Sequence, residues 1–154
     1  MQLLPSLPGL HLDLASGTGD TLDTLPLAAK RIFLDAQFPM LSRLPQSCRV
    51  AARVEALPFS AQTFACISAI GLLEYLERED QFFFEVARVL QTTGYFIFTS
   101  SPPNFGNRLR GLLGEPLYLR PPLQVKALLQ LHGWRILGHT RSWLQDQWLV
   151  TRSS

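Results

Sequence analysis

One stretch constrains the fold of this chain more than any other: His11-Leu12-Asp13-Leu14-Ala15-Ser16-Gly17-Thr18-Gly19-Asp20. It reads as an apolar strand that breaks into a glycine-rich turn. A second apolar strand, Arg31-Ile32-Phe33-Leu34-Asp35, ends on a carboxylate. Strand, glycine turn, crossover, strand and acidic end is the layout of a nucleotide-type ligand site in an α/β sheet. Glycine lets the backbone approach a ligand where a Cβ would clash. The terminal carboxylate is placed to accept hydrogen bonds from a ribose diol. Glycine spacing narrows the cofactor. A dinucleotide fingerprint needs G-x-G-x-x-G, whereas Gly17 and Gly19 are followed by Leu22 at the third position. A nicotinamide dehydrogenase fails on that spacing.

The rest of the chain continues the alternation of strand and helix. At 154 residues it is long enough for one domain with one core. The expected first strand covers about 9–14, a short crossover 20–30, and the second strand 32–35. A short helical piece over 39–44 starts at Pro39, a residue favoured in a first turn. The third strand covers 49–53. Residues 64–70 are nearly all apolar or small, which suits a central parallel strand covered on both faces. Phe83, Val86, Ala87 and Leu90 fall on one face of a helix running from Glu77 or Asp80 to Leu90. Gly94 is expected to cap that helix, with a fifth strand over 95–99. A connection punctuated by Pro and Gly then spans 100–122, with a helical turn at 108–113. A helix over 123–132 and strands over 134–139 and 147–151 close the chain, the two strands pairing antiparallel.

Composition excludes several classes. The net charge is +2, so no electrostatic footprint for nucleic acid is present. Charged residues make up 17%, below the usual ~25%, which points to an apolar substrate, a partner surface or a homodimer interface. Cys48 and Cys66 form no CxxC pair, and no metal site is expected. The N-terminus has no basic region of a signal peptide, and Ala56–Leu73 is interrupted by Pro58, Ser60, Gln62 and Ser68. Neither a leader nor an integral membrane span is expected, and a cytoplasmic compartment follows.

Asp13-x-Ala15-x-Gly17-x-Gly19 resembles the first motif of class I S-adenosylmethionine (SAM)-dependent methyltransferases. Further segments follow in that family's order. Ile32-Phe33-Leu34-Asp35 with Met40-Leu41 resembles its second motif, and Glu55-Ala56-Leu57-Pro58-Phe59 its Ala-x-x-Leu-Pro-Phe segment. Phe64 through Leu76 is similar to its Phe-Asp strand and Leu-Glu-His turn, and Arg88-Val89-Leu90 with Gly94 to its Arg-Val-Leu-x-Pro-Gly-Gly. Pro103-Asn104 and Arg108-Leu109-x-x-Leu112-Leu113-Gly114 resemble the insertion of small-molecule members related to the ubiquinone and menaquinone biosynthesis group. The chain departs from the pattern at Ala15, at Arg53 (where an acid is usual), at Ala65, at Tyr75 and at Thr92-Thr93.

The resemblance implies an α/β fold: a Rossmann-like, seven-stranded, mostly parallel sheet with an antiparallel C-terminal hairpin and helices on both faces. It implies a single methyltransferase domain over 1–154 that lacks the N-terminal cap helices of many relatives, with 100–122 covering the substrate side. SAM is the implied cofactor and a small, apolar molecule the implied acceptor. Asp13 would orient the turn, on which Ala15, Ser16, Gly17 and Gly19 admit the methionine moiety. Asp35, beside Ala36, would bind ribose. Glu55 and the amides of Val54 and Ala56 would hold adenine, and Ala69 and Ile70 would line the sulfonium side. Tyr75 and Asn104 are substrate-contact candidates, and Tyr75 is the one candidate base. The three histidines and three tryptophans read as structural. The competing expectation is a degenerate methyltransferase-like domain acting as an interaction or regulatory subunit, favoured by Ala15, Arg53, Ala65 and the low charge.

Overall fold

A computed structural model describes residues 9–15, 30–42, 48–114 and 116–153. Seven strands form one sheet in the order β3-β2-β1-β4-β5-β7-β6. These are β1 (His11–Leu14), β2 (Arg31–Asp35), β3 (Arg49–Ala51), β4 (Phe64–Ala69), β5 (Leu90–Ser100), β6 (Trp134–Arg141) and β7 (Asp146–Arg152). β1 to β5 pair in parallel, and β7 runs antiparallel to both β5 and β6. The expected mixed sheet with its C-terminal hairpin is therefore present. Among the described residues the α-helices are α1 (Phe38–Leu41), α2 (Asp80–Val89), α3 (Phe105–Leu113) and α4 (Pro122–Leu131). Among the described residues no helix is long and apolar enough to cross a membrane.

β4 is buried along its whole length, as its uninterrupted apolar run requires for a strand at the sheet's centre. β5 shows the alternation of a strand with two covered faces. Phe96 and Phe98 meet Phe82 and Phe83 of α2, while Ile97 packs with Cys66, Ile70 and Leu149 in a separate cluster. α2 presents Phe82, Phe83, Val86 and Val89 to the core, with Asp80 in its first turn and Arg88 in its last, each matched to the helix dipole. Burying each such side chain is worth roughly 1.5–3 kcal/mol. His132, just past α4, stacks on Phe83 and bonds Asp80 at 3.0 Å. The same burial leaves Cys66 inert, its thiol pushed up to about 12.

Gly94 does not cap α2. The chain leaves the helix at Leu90, whose backbone is already extended, and β5 begins there. Phe64 pairs with Leu90 and Cys66 with Tyr95, so Ala65 alone stands opposite Gln91–Gly94. In this irregular stretch a Cβ on Gly94 would lie 2.7 Å from Leu90 Cδ1 and 3.0 Å from the Ala65 carbonyl oxygen. Gly94 is thus required by close approach within the sheet, and the β-branched Thr92-Thr93 suits a strand better than a helix end. Ala65, one of the departures from the family pattern, has a similar cause nearby. Gly9, at φ +143°, would place a Cβ 2.6 Å from the Ala65 Cβ.

Candidate active site

In this sheet β2 lies to one side of the adjacent β1 and β4 pair and β5 to the other, and a crevice opens at the carboxyl ends of β1 and β4. A cleft of about 690 Å³ lies there, in the size range of small-molecule sites. Ala15 from the end of β1, and Asp35, Ala36 and Gln37 from the end of β2, form one side. Arg53, Val54 and Glu55 follow β3, and Gly71, Leu72, Tyr75 and Leu76 follow β4. The fold therefore brings together six of the residues expected at the site: Ala15, Asp35, Ala36, Val54, Glu55 and Tyr75. Ser16, Gly17 and Gly19 lie outside the described residues.

Asp35 sits where β2 ends, half-buried, and its Oδ1 accepts a hydrogen bond from the Gln37 amide at 2.8 Å. Arg53 extends into solvent, its side chain 79% exposed, with Nε 3.5 Å from Glu55 Oε2. An ion pair this exposed is weak, so the arginine that replaces the family's acid is only weakly anchored at the rim of the cleft. The chain after Glu55 is fixed more firmly. Glu85 of α2 accepts a 2.7 Å bond from the Leu57 amide, and Arg88 donates to the Phe59 and Leu57 carbonyls at 2.7 and 2.9 Å. The Arg88 guanidinium at 2.8 Å holds the Glu85 carboxyl below its ordinary range.

On the opposite wall, residues 73–75 form a single 3₁₀ turn that carries Tyr75, 47% exposed, onto the cleft. Glu74 in the same turn points inward, and its Oε1 accepts from Ser101 Oγ at 3.0 Å. Gln37, Gly71, Leu72 and Leu76 were not read from sequence as lining residues. Gln37 follows Asp35 and Ala36 along the chain, while the signal that finds the other three is the adjacency of the β1 and β4 ends, which follows from sheet order rather than from a motif.

The remaining expected residues lie elsewhere. Asp13 is buried in the sheet and accepts a bond from Ser68 Oγ at 2.9 Å, and that hydroxyl also meets His11 Nε2 at 2.8 Å. Burial pushes the Asp13 carboxyl up to about 6, against the Ser68 bond and the Arg31 charge. Burial, with Arg31 adding to it, lowers His11 to about 4. This His–Ser–Asp chain joins β1 to β4 and has no access to the cleft; nothing in the spacing announced it. Ala56 is exposed, with its amide bonded to the Arg53 carbonyl. Ala69 is in the core, and Ile70 packs against Cys66 and Ile97. Asn104 caps α3, accepting from the Asn107 amide at 2.8 Å and donating to the Trp143 carbonyl. Among the described residues no cluster of metal-ligating groups is present.

The donor set fits a nucleoside. Asp35 supplies acceptors of the kind a ribose diol needs, Val54, Leu72 and Leu76 supply apolar lining of the kind a flat base needs, and Glu55 supplies an acceptor of the kind an amino group needs. Solved structures share the fold. A SAM-dependent methyltransferase from Clostridium acetobutylicum superposes with a TM-score of 0.75 at 16% identity, over 95% of this chain and 85% of that one. A chain from the Haloferax volcanii complex of the Trm112 methyltransferase activator with a methyltransferase gives 0.85 at 13%, over 98% and 86%. The Burkholderia thailandensis 1,6-didemethyltoxoflavin-N1-methyltransferase, solved with S-adenosylhomocysteine, gives 0.74 at 16%, over 96% and 72%. No curated protein matches in sequence. The family described as the methyltransferase domain matches residues 12–98, which run from β1 through the whole cleft-forming half of the sheet to β5. The chain belongs to the methyltransferase domain family.

Proposed function

We propose that this domain transfers a methyl group from SAM, its expected cofactor, to a small apolar acceptor. The observation that carries the reading is the position of Asp35: it ends β2 and lines the cleft together with Val54, Leu72 and Leu76. When bound, SAM supplies a methyl group on a sulfonium, activated toward in-line displacement. Asp35 holds the ribose and the apolar walls sandwich the base, while Glu55 accepts from its amino group. Ser16, Gly17 and Gly19 of the sequence motif admit the methionine moiety, and the buried Asp13 and Ala69 help fix β1 and the end of β4. Tyr75 lies on the acceptor side, where it excludes water and orients the incoming nucleophile. Positioning and water exclusion supply the rate enhancement, so an acceptor that is already nucleophilic needs no strong base.

The apolar wall and the low overall charge favour an apolar acceptor. The Pro103-Asn104 and Arg108–Gly114 segments favour a relative of the ubiquinone and menaquinone group. The 100–122 segment serves as the substrate-side cover, and a cytoplasmic setting suits the two cysteines, which lie in separate segments. A protein partner is compatible with this reading, since the Haloferax volcanii complex holds an activator. Titration calorimetry with S-adenosylhomocysteine tests it. Micromolar or tighter binding is expected, about −8 kcal/mol. No heat and no thermal shift at millimolar ligand would overturn the enzyme reading and leave a non-catalytic interaction domain.

A further inference from the structure

The turn that carries Tyr75 is a single 3₁₀ turn, and such short pieces have poor intrinsic hydrogen-bond geometry. Its own bonds are Tyr75 N to the Leu72 carbonyl at 3.0 Å and Leu76 N to the Leu73 carbonyl at 3.3 Å. Three stronger bonds come from outside, all from residues 118–120. Arg120 Nη1 donates to the Leu73 carbonyl at 2.8 Å and Nη2 to the Leu76 carbonyl at 2.6 Å. The Tyr118 amide donates to the Glu74 carbonyl at 2.7 Å.

The Arg120 guanidinium is itself built in. It is buried, pairs with Glu79 at 2.8 Å and donates to the Tyr118 carbonyl at 2.9 Å. Its backbone amide donates to the Ser101 carbonyl at 3.1 Å, and Ser101 Oγ in turn bonds the Glu74 side chain. A buried arginine carries a large desolvation cost, which the Glu79 charge and three carbonyls offset. The forked guanidinium is needed for this set: one ammonium has three donors and cannot meet four acceptors.

We propose that Arg120 is a positioning residue for the cleft, fixing the Leu72–Leu76 wall and coupling the strap at 116–120 to whatever binds there. The inference rests on the reading of the cleft as a cofactor site. Neither Arg120 nor Tyr118 lines the cleft, so the effect travels through the turn. Because coupling between two sites is reciprocal, a ligand in the cleft tightens the strap as much as the strap tightens the cleft.

Two measurements test this with S-adenosylhomocysteine as the probe. In the wild-type protein, saturating ligand should slow hydrogen exchange at the Tyr118 and Arg120 amides as well as at Tyr75. In Arg120→Lys, the dissociation constant should rise roughly three- to thirty-fold, measured where circular dichroism shows the variant folded. No binding by the wild type overturns the cofactor reading and this inference with it. Binding by the wild type with no added protection at Tyr118 and Arg120 overturns the positioning role alone, whether or not the variant folds. An unchanged dissociation constant in a folded Arg120→Lys also overturns it.

Discussion

Asp35 and Asp13 are two carboxylates on adjacent strands, and their surroundings give them opposite tasks. Asp35 ends its strand at the cleft; Asp13, one strand over, lies under the sheet surface against Ser68. Asp35→Ala should weaken S-adenosylhomocysteine binding about ten- to a hundred-fold, since hydrogen bonds to a charged group are worth roughly 1.5–3 kcal/mol. Calorimetry on the folded variant checks this, and an unchanged constant would show that the ribose is held elsewhere. Asp13 bears on stability. His11 is neutral in the fold but takes a proton below about 6.5 when unfolded, so its contribution is lost as pH falls from 6.5 toward 4. Asp13 has the opposite sign. The fold keeps its proton up to about pH 6, while the unfolded carboxyl loses it near 3.8, so stability falls as pH rises through that window. Between pH 4 and 6 the two slopes cancel. Asp13→Asn removes one of them and should expose an acid-side loss on the order of 1–3 kcal/mol between pH 6.5 and 4. Urea melts across that range read it, and a variant whose profile parallels the wild type would contradict the assignment.

Among the elements, loops that form the cleft walls are held by arginines reaching from outside the site. Arg88 of α2 gathers the Leu57–Phe59 segment, and Arg120 gathers the Leu73–Leu76 turn. Backbone that leaves a strand end loses its ladder partners, and those carbonyls need other donors when they are buried. A forked guanidinium supplies several at once. α3 is secured differently. Asn104 caps its first turn and ties it to the β6–β7 hairpin, where fully buried Asn107 bonds the Pro102 and Leu144 carbonyls, each at 2.8 Å. Asn104→Ala should therefore lower stability by about 1 kcal/mol through the lost cap, read by chemical denaturation, while S-adenosylhomocysteine affinity stays within two-fold, roughly the scatter expected of a distant, uncoupled site. A large loss of affinity with unchanged stability would instead place Asn104 at the ligand.

At the scale of the whole molecule, the antiparallel β7 brings the 100–122 segment and the hairpin tip to one edge. Ser100 pairs with Asp146, and the buried Trp148 donates to Ser100 Oγ at 2.9 Å. That is the edge where β4 and β1 end and the cleft opens. Replacing Asn104–Gly114 with a short Gly/Ser linker leaves the Arg120 strap in place. Cofactor binding should stay within a few-fold, because the free energy of loop closure changes only slowly with loop length, while methyl transfer to an acceptor is abolished. Persistent transfer would show a dispensable loop, and loss of the fold would show that α3 and the hairpin brace each other.

Local sequence determined the strands and the carboxylate at their open edge. Apolar runs bounded by Gly, Pro and an acidic end have one economical solution, a parallel sheet with a carboxylate at its open edge, so β1, β2, β4 and the place of Asp35 are legible in the sequence. Motif order extended this to Val54, Glu55 and Tyr75. What stayed hidden depends on which strands lie side by side. Gly94 reads as a helix cap along the chain, and only its closeness to Leu90 and Ala65 across the sheet shows otherwise. Asp13 belongs to a motif in sequence, yet pairing with β4 sets Ser68 against it. Gly71, Leu72 and Leu76 reach the cleft because β4 neighbours β1, and Arg120 reaches Leu73 and Leu76 across 47 and 44 residues of chain. Periodicity and spacing report on neighbours within a few residues, whereas burial, close approach and hydrogen-bond partnership are set by neighbours in space, which here the tertiary structure alone decided.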